Sequence, residues 1–162
     1  MHPLLLLQLL ILISVANGLP VVAKKLLGKH FAWPLDGGTK FFDGHRIFGA
    51  SKTIRGIVLA VLATSIAAPI LGLSWSTGAT IGAFAMTGDL CSSFAKRRLN
   101  RPLHSRATGI DQIPESLFPL LAVAGALSLS AADVIAGTVA FLVGEILLSR
   151  LLYRVHLRDR PY

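Results

Sequence analysis

The amino-acid sequence predicts an all-α fold, a polytopic membrane protein built as a bundle of about five transmembrane helices with two long basic loops on one side. Three observations lead there. Of the 162 residues, 53% are hydrophobic and only 15% charged, with a mean hydropathy of +0.65, which is too apolar for an ordinary water-soluble domain. Several uncharged stretches are long enough to cross a bilayer. All 16 lysines and arginines fall in three clusters between those stretches.

The first predicted span covers residues 4–22, apolar apart from Gln8, Ser14 and Asn17, about long enough for one crossing at roughly 1.5 Å per residue. No Lys or Arg precedes this run and Lys24 and Lys25 follow it, the reverse of a secretory signal peptide. It is therefore kept as a span, although Ala16-Asn17-Gly18 loosely imitates a cleavage site, and Gly18 and Pro20 are expected to loosen its end. Residues 56–88 carry no charge, are too long for one crossing, and are punctuated by Pro69, Gly72 and Ser74. This predicts helices over 54–73 and 75–95. On the second of these, Gly78 and Gly82 form a small-residue face of the kind that packs helices. The apolar stretch 116–152 is interrupted by Ser128, Ser130 and Asp133. The order Ser130-Ala131-Ala132-Asp133 has the form of a capping box, in which a serine oxygen and an acid three residues on satisfy free N–H groups at a helix start. Helices over 115–129 and 131–153 follow. The chain is thus expected to be one transmembrane domain, 1–162, with loops at 23–53 and 96–114 and no internal repeat.

Charge sets the expected orientation. Neither short turn, at Ser74 or at Ser130, contains Lys or Arg. The first long loop and its flanks hold Lys24, Lys25, Lys29, Lys40, Arg46, Lys52 and Arg55; the second holds Lys96, Arg97, Arg98, Arg101 and Arg106; the tail holds Arg150, Arg154, Arg158 and Arg160. The positive-inside rule then puts the amino terminus outside, and both loops and the carboxyl terminus in the cytoplasm, in the inner (plasma) membrane. Trp75 and Tyr153 fall at opposite interfaces, as aromatic belt residues do. A net charge of +8 and a pI near 10.4 would also suit a nucleic-acid binder. Here each basic cluster is tied to segments of membrane-spanning length, so no nucleic-acid partner is expected. The single cysteine, Cys91, excludes an internal disulfide and a cysteine-based metal centre, leaving oxygen ligands for any metal.

Polar residues that could do chemistry crowd the ends of the spans. An acid inside a span costs about 2.5 to 3.5 kcal/mol at the helix centre, so Asp89 should face protein or a cavity and have a partner. Ser93 and Lys96 follow it at helical spacing. That face is either a helix-packing ion pair or a metal ligand with a phosphate clamp beside it. The loop at 37–56 reads GGTKFFDGHRIFGASKTIRG, with five glycines, four cations and Asp43. Glycine lets backbone N–H groups approach an anion, the cations supply charge, and the segment feeds a helix N-terminus near Thr53. Gly44, Gly49 and Lys52-Thr53 come near a P-loop, but two extra residues precede the lysine and no strand precedes the motif, so that match is rejected. The other reading of this loop is a basic segment bound only to anionic headgroups. Asp111-Gln112 lies shortly before the fourth span, and Asp89 and Asp111 could converge on one Mg²⁺. Glu115 is expected to cap the fourth helix; Glu145 is open between snorkelling, pairing with a cation and lining the site. His2, His30, His104 and His156 show no ligand spacing.

These residues resemble the CDP-archaeol synthase family, membrane cytidylyltransferases that transfer CMP from CTP to a lipid phosphate. The resemblance rests on Ala16-Asn17 with Pro20, FFDGHRIFG at 41–49, KTIRG at 52–56, GDLCSSFAKRRL at 88–99, and Asp111-Gln112. The family is distantly similar to phosphatidate cytidylyltransferase, whose serine and Lys-Arg signature Ser93, Lys96 and Arg97 match, while Pro102-Leu103 stands where a Lys-Asp pair is expected. The resemblance implies Mg²⁺ held by Asp89 and Asp111. It also implies Lys52, Arg55, Lys96 and Arg97 neutralising charge, with catalysis carried by Asp89, Lys96, Asp111 and Lys52. Asp43, Gly44, Arg46, Gly49, Thr53 and Ser93 would help seat the nucleotide. Expected partners are CTP, a lipid phosphate and membrane lipids, with a homodimer left open. Archaeal members tend to carry a second acid three residues after the loop aspartate; here Pro114 stands there, with Glu115 next. The leucine-rich start suits a bacterial relative, so the acceptor need not be an archaeal ether lipid.

Two rivals remain in view. A CDP-alcohol phosphotransferase motif also begins Asp-Gly, but Asp43-Gly44 is not followed by its Ala-Arg and spaced aspartates. A non-catalytic subunit or small transporter, with Asp89 and Glu145 lining a pathway, would be expected to place polar groups at mid-membrane.

Overall fold

A computed structural model describes residues 2–99 and 111–154. Expectations concerning Arg101, Pro102-Leu103, His104, Arg106, His156, Arg158 and Arg160 lie outside these residues, and the side chains of Arg150, Tyr153 and Arg154 lie outside the described side chains. Among the described residues the chain forms five helices: α1 (Pro3–Leu27), α2 (Ile54–Ile70), α3 (Trp75–Arg98), α4 (Gln112–Ala124) and α5 (Ala131–Arg154).

Local chemistry explains the boundaries. Helix α1 continues through Gly18 and Pro20 to the lysine pair instead of loosening there. Its proline packs against the start of α2, where a Cβ built on Gly56 would lie 3.3 Å from the Pro20 Cβ. Helix α2 ends sooner than residue 73: Gly72 adopts φ 77°, and Leu73 N–H donates back to the Ala68 carbonyl at 2.9 Å, a glycine-assisted helix stop. The Ser74 hydroxyl then accepts from Thr77 N–H at 3.1 Å and opens α3. Lys96, Arg97 and Arg98 fall in the last turn of α3, where the helix dipole favours cations. The capping box forms in both directions, Asp133 N–H donating to the Ser130 hydroxyl at 3.2 Å and Ser130 N–H to the Asp133 carboxylate at 3.1 Å.

Helix α3 lies at the centre, packed on α1, α2 and α4, while α5 packs on α4 and touches α1. The reason is three glycines on the packed faces of α3. A Cβ on Gly78 or Gly82 would strike Thr64 of α2, and one on Gly88 would strike the backbone of Pro114 and Glu115 in α4. Small residues therefore let three backbones approach closely. Two apolar clusters fill the interior. Leu9, Leu12, Ile13, Ile81, Leu120, Val123, Val134 and Phe141 pack together in one, and the smaller Ala16, Ala60, Ala85 and Met86 in the other.

Outside, Val58, Leu62 and Ile66 make an exposed stripe along α2, and Ile135, Val139, Val143 and Leu147 another along α5. Fourfold spacing of large exposed apolar residues is what lipid, not water, solvates. Helix α1 and residues Ala131–Leu148 of α5 are long and apolar enough to cross a membrane, and α2 is a shorter apolar helix.

Candidate active site

Most of the described charged residues gather at the end of the bundle where α1 and α3 finish and α2 and α4 begin. Two elements build this end: the 28–53 connection and the facing turns of α3 and α4.

The connection is organised by Asp36, a residue the sequence reading passed over. Its carboxylate accepts from Gly38 N–H at 3.0 Å, Phe48 N–H at 3.2 Å and Gly49 N–H at 2.9 Å, and pairs with Arg46 at 2.5 Å. Burial by itself would raise its pKa. The Arg46 guanidinium and three backbone N–H groups outweigh that and hold the carboxyl down at about 2. An Asp-Gly-Gly sequence is a recognisable turn signal and could have exposed this role. Gly44 and Gly49 take φ 79° and 96°, the left-handed region their lack of a Cβ permits. Lys40 and Arg46 face each other in an antiparallel bridge, and Pro34 and Thr53 in another.

The connection is fastened to α3 by Arg98, also not anticipated. Its guanidinium lies over the rings of Phe41, at 4.7 Å, and Phe94, at 4.9 Å. It also pairs with Asp43 at 3.0 Å and donates to the Arg46 carbonyl at 3.0 Å. Asp43 in turn accepts from His45 N–H at 3.0 Å.

Most of the expected site residues lie at this end, though not all with the partners expected. Lys52 Nζ contacts both carboxylate oxygens of Asp89, at 2.5 and 2.6 Å. Lys96 pairs with Asp111 at 2.7 Å. Ser93 is buried on α3. The Thr53 hydroxyl accepts from Gly56 N–H at 3.2 Å and caps α2. Arg55 turns to the end of α1, donating to the carbonyls of Gly28 and His30. Arg97 is engaged in an interaction as well. Glu115 departs from expectation: instead of capping the start of α4, its buried carboxyl is hydrogen-bonded to that of Asp89, with Glu145 and Lys52 close enough to act on it electrostatically. The physical reason is the close α3–α4 crossing at Gly88, one residue from Asp89, which brings Glu115 inward.

Among the described residues no three His, Cys, Asp or Glu side chains form a ready metal-ligand set. A magnesium site does not require one, since one or two carboxylates with substrate phosphates suffice. The oxygen-only donors fit that ion, and Glu145 Oε2 is buried with no hydrogen-bond partner among the described residues.

Comparison with known proteins bears on this arrangement. Residues 4–162 match the family model described as CarS-like, CDP-archaeol synthase. The chain is 39% identical over 112 residues to the CDP-archaeol synthase of Pyrobaculum calidifontis, covering 66% of each chain, just under two thirds of that protein's length. It is 33% identical over 135 residues to that of Sulfurisphaera tokodaii, covering 80% of this chain and 81% of the other. A solved structure described as an intramembrane enzyme for archaeal membrane lipid biosynthesis superimposes with a TM-score of 0.74 at 29% identity, over 87% of this chain and 90% of that one. The family model spans both elements of the charged end and all five helices, and the chain belongs to the CarS-like, CDP-archaeol synthase family of membrane proteins.

Proposed function

We propose that this protein is a CTP-dependent nucleotidyltransferase that moves CMP from CTP to a lipid phosphate. An oxygen of the lipid phosphate attacks the α-phosphorus of CTP, the bond from that phosphorus to the bridging oxygen breaks, and pyrophosphate leaves with the electron pair. The products are a CDP-activated lipid and pyrophosphate. The observation that carries this reading is the Lys52–Asp89 contact, which joins an anion-suited glycine and cation loop to a half-buried carboxylate on α3.

The residues act by positioning and electrostatics, which phosphoryl chemistry rewards more than covalent help. Lys52 and Lys96 each stand beside a carboxylate and supply positive charge to the triphosphate when those pairs open. Arg97 and Arg55 lie near the same mouth. Gly44 and Gly49, with Asp43 and Arg46, shape the loop over the nucleotide, and Ser93 and the Thr53 cap lie beneath it. Mg²⁺, held by Asp89 and Asp111, would supply charge neutralisation and a template for the phosphates. Glu115 keeps Asp89 oriented.

The five helices are read as five spans, with the amino terminus outside and the charged end in the cytoplasm, at the inner membrane. That places the site where CTP and a lipid headgroup meet.

The test is direct. Purified protein with Mg²⁺ and labelled CTP is offered diacyl, ether-linked and isoprenoid lipid phosphates, and CDP-lipid and pyrophosphate are measured together. Equimolar formation of both with at least one acceptor supports the proposal. Absence of both with every acceptor, from protein that still binds CTP, overturns it and favours a non-catalytic subunit.

A further inference from the structure

The turn at 28–34 presents a surface that the proposed reaction does not use. Phe31 and Trp33 pack edge to face with ring centroids 6.3 Å apart, yet they remain 68% and 67% exposed. Phe31 adopts φ 54°, a left-handed conformation that side chains of its kind rarely take. The turn is nevertheless held firmly: Arg55 donates to the Gly28 and His30 carbonyls from below. Just before the two rings in the chain come Lys24, Lys25 and Lys29, all exposed, and Leu26, also exposed. No aspartate or glutamate precedes Asp36 in the chain, and none of these lysines has an ion-pair partner among the described residues.

Two exposed rings and three unbalanced cations, set where a membrane-length helix ends, suit the headgroup layer. Aromatic rings settle at that depth and clustered lysines draw anionic lipid. The same turn is wired to the site. Ile54 N–H donates to the Trp33 carbonyl at 3.1 Å and Leu35 N–H to the Lys52 carbonyl at 2.8 Å, so the backbone on both sides of Pro34 brackets Lys52, Thr53 and Ile54.

We infer that the Phe31–Trp33 turn with Lys24, Lys25 and Lys29 is a docking edge for anionic lipid headgroups, and that lipid bound there steadies the backbone carrying Lys52. The coupling to Lys52, though not the docking itself, rests on the proposed transferase reading. An anionic lipid that is not the acceptor would then act as an activator.

Trp33 itself reports on this. With Trp75→Phe removing the other tryptophan, the protein is placed in nanodiscs containing brominated phosphatidylglycerol or brominated phosphatidylcholine at equal bromine content. Quenching of Trp33 should be roughly twofold stronger with the anionic lipid at low salt, and the difference should vanish at high salt and in the Lys24→Gln, Lys25→Gln, Lys29→Gln variant. Equal quenching by both lipids overturns anionic selection, and absence of quenching by either overturns the headgroup placement. Neither readout needs turnover, so a failure of the proposed reaction leaves this test intact. In a second arm, CDP-lipid formation is measured as non-acceptor phosphatidylglycerol is raised. A rise in wild type that the triple variant lacks supports the coupling; the same rise in both, or none in wild type, overturns it.

Discussion

Lys52 Nζ sits 2.5 and 2.6 Å from the two carboxylate oxygens of Asp89, bridging a residue just ahead of α2 to the inner part of α3. The pair is only about one fifth exposed on each side, so each charge depends on the other for solvation. Asp89→Asn should lower CDP-lipid formation on the order of 10²-fold or more. It should also destabilise the fold by about 1–3 kcal/mol, because Lys52 is left without its partner. Activity and a thermal melt in detergent measure the two effects; full turnover in a folded Asp89→Asn protein would remove the residue from the mechanism.

Arg98 joins the glycine loop to α3 through Phe41, Phe94 and Asp43, so under the proposed reaction its effect on CTP should run through that loop. Arg98→Ala should cost about 1–2 kcal/mol of loop order. The expected readouts are a roughly tenfold higher KM for CTP with a smaller change in kcat, and faster hydrogen exchange over 39–48. Unchanged exchange in that segment would separate Arg98 from loop order.

Asp36 makes the loop acid-sensitive. Its carboxyl, ordinarily near 3.8, is held at about 2 in the folded protein. A depressed folded value means that the stabilising effect is complete above the ordinary value and is lost as pH falls through the folded one, here from about pH 4 down to 2. Asp36→Asn should therefore melt below wild type at neutral pH by the equivalent of about 1–3 kcal/mol, and the gap should close on acidification through that window. A gap that persists at pH 2 would point to another cause.

Gly88 and Gly18 form a matched pair of tests. A Cβ at Gly88 meets the Pro114 and Glu115 backbone, whereas one at Gly18 meets nothing within 4 Å. Gly88→Ala should cost about 1–3 kcal/mol and reduce activity by displacing Glu115 from Asp89. Gly18→Ala should leave the melting temperature unchanged or raise it, since alanine is the better helix former. Equal melts for the two variants would argue against a tight α3–α4 crossing.

Much of the architecture could be read directly from residue order. The uncharged runs, the glycine and serine breaks and the Ser130–Asp133 capping box locate the helices because these signals are local, resting on hydrogen bonds three or four residues long. Boundaries drifted where a distant contact intervened. Helix α1 runs through Pro20 because the ring packs on Gly56, a neighbour only after α1 and α2 have folded together.

The chemistry divides the same way. Composition and local pattern were enough to show that Asp89, an acid within an apolar helix, must have a partner, and they raise the expectation that the 37–56 loop seats an anion. Which groups meet was decided by tertiary structure alone. Asp89 takes Lys52 rather than Lys96, which lies roughly 10 Å further along the helix and pairs instead with Asp111. Asp36, Arg98 and Glu115 owe their places to contacts between residues far apart in the chain, because a buried charge is settled by whatever donor or acceptor the folded bundle brings within reach.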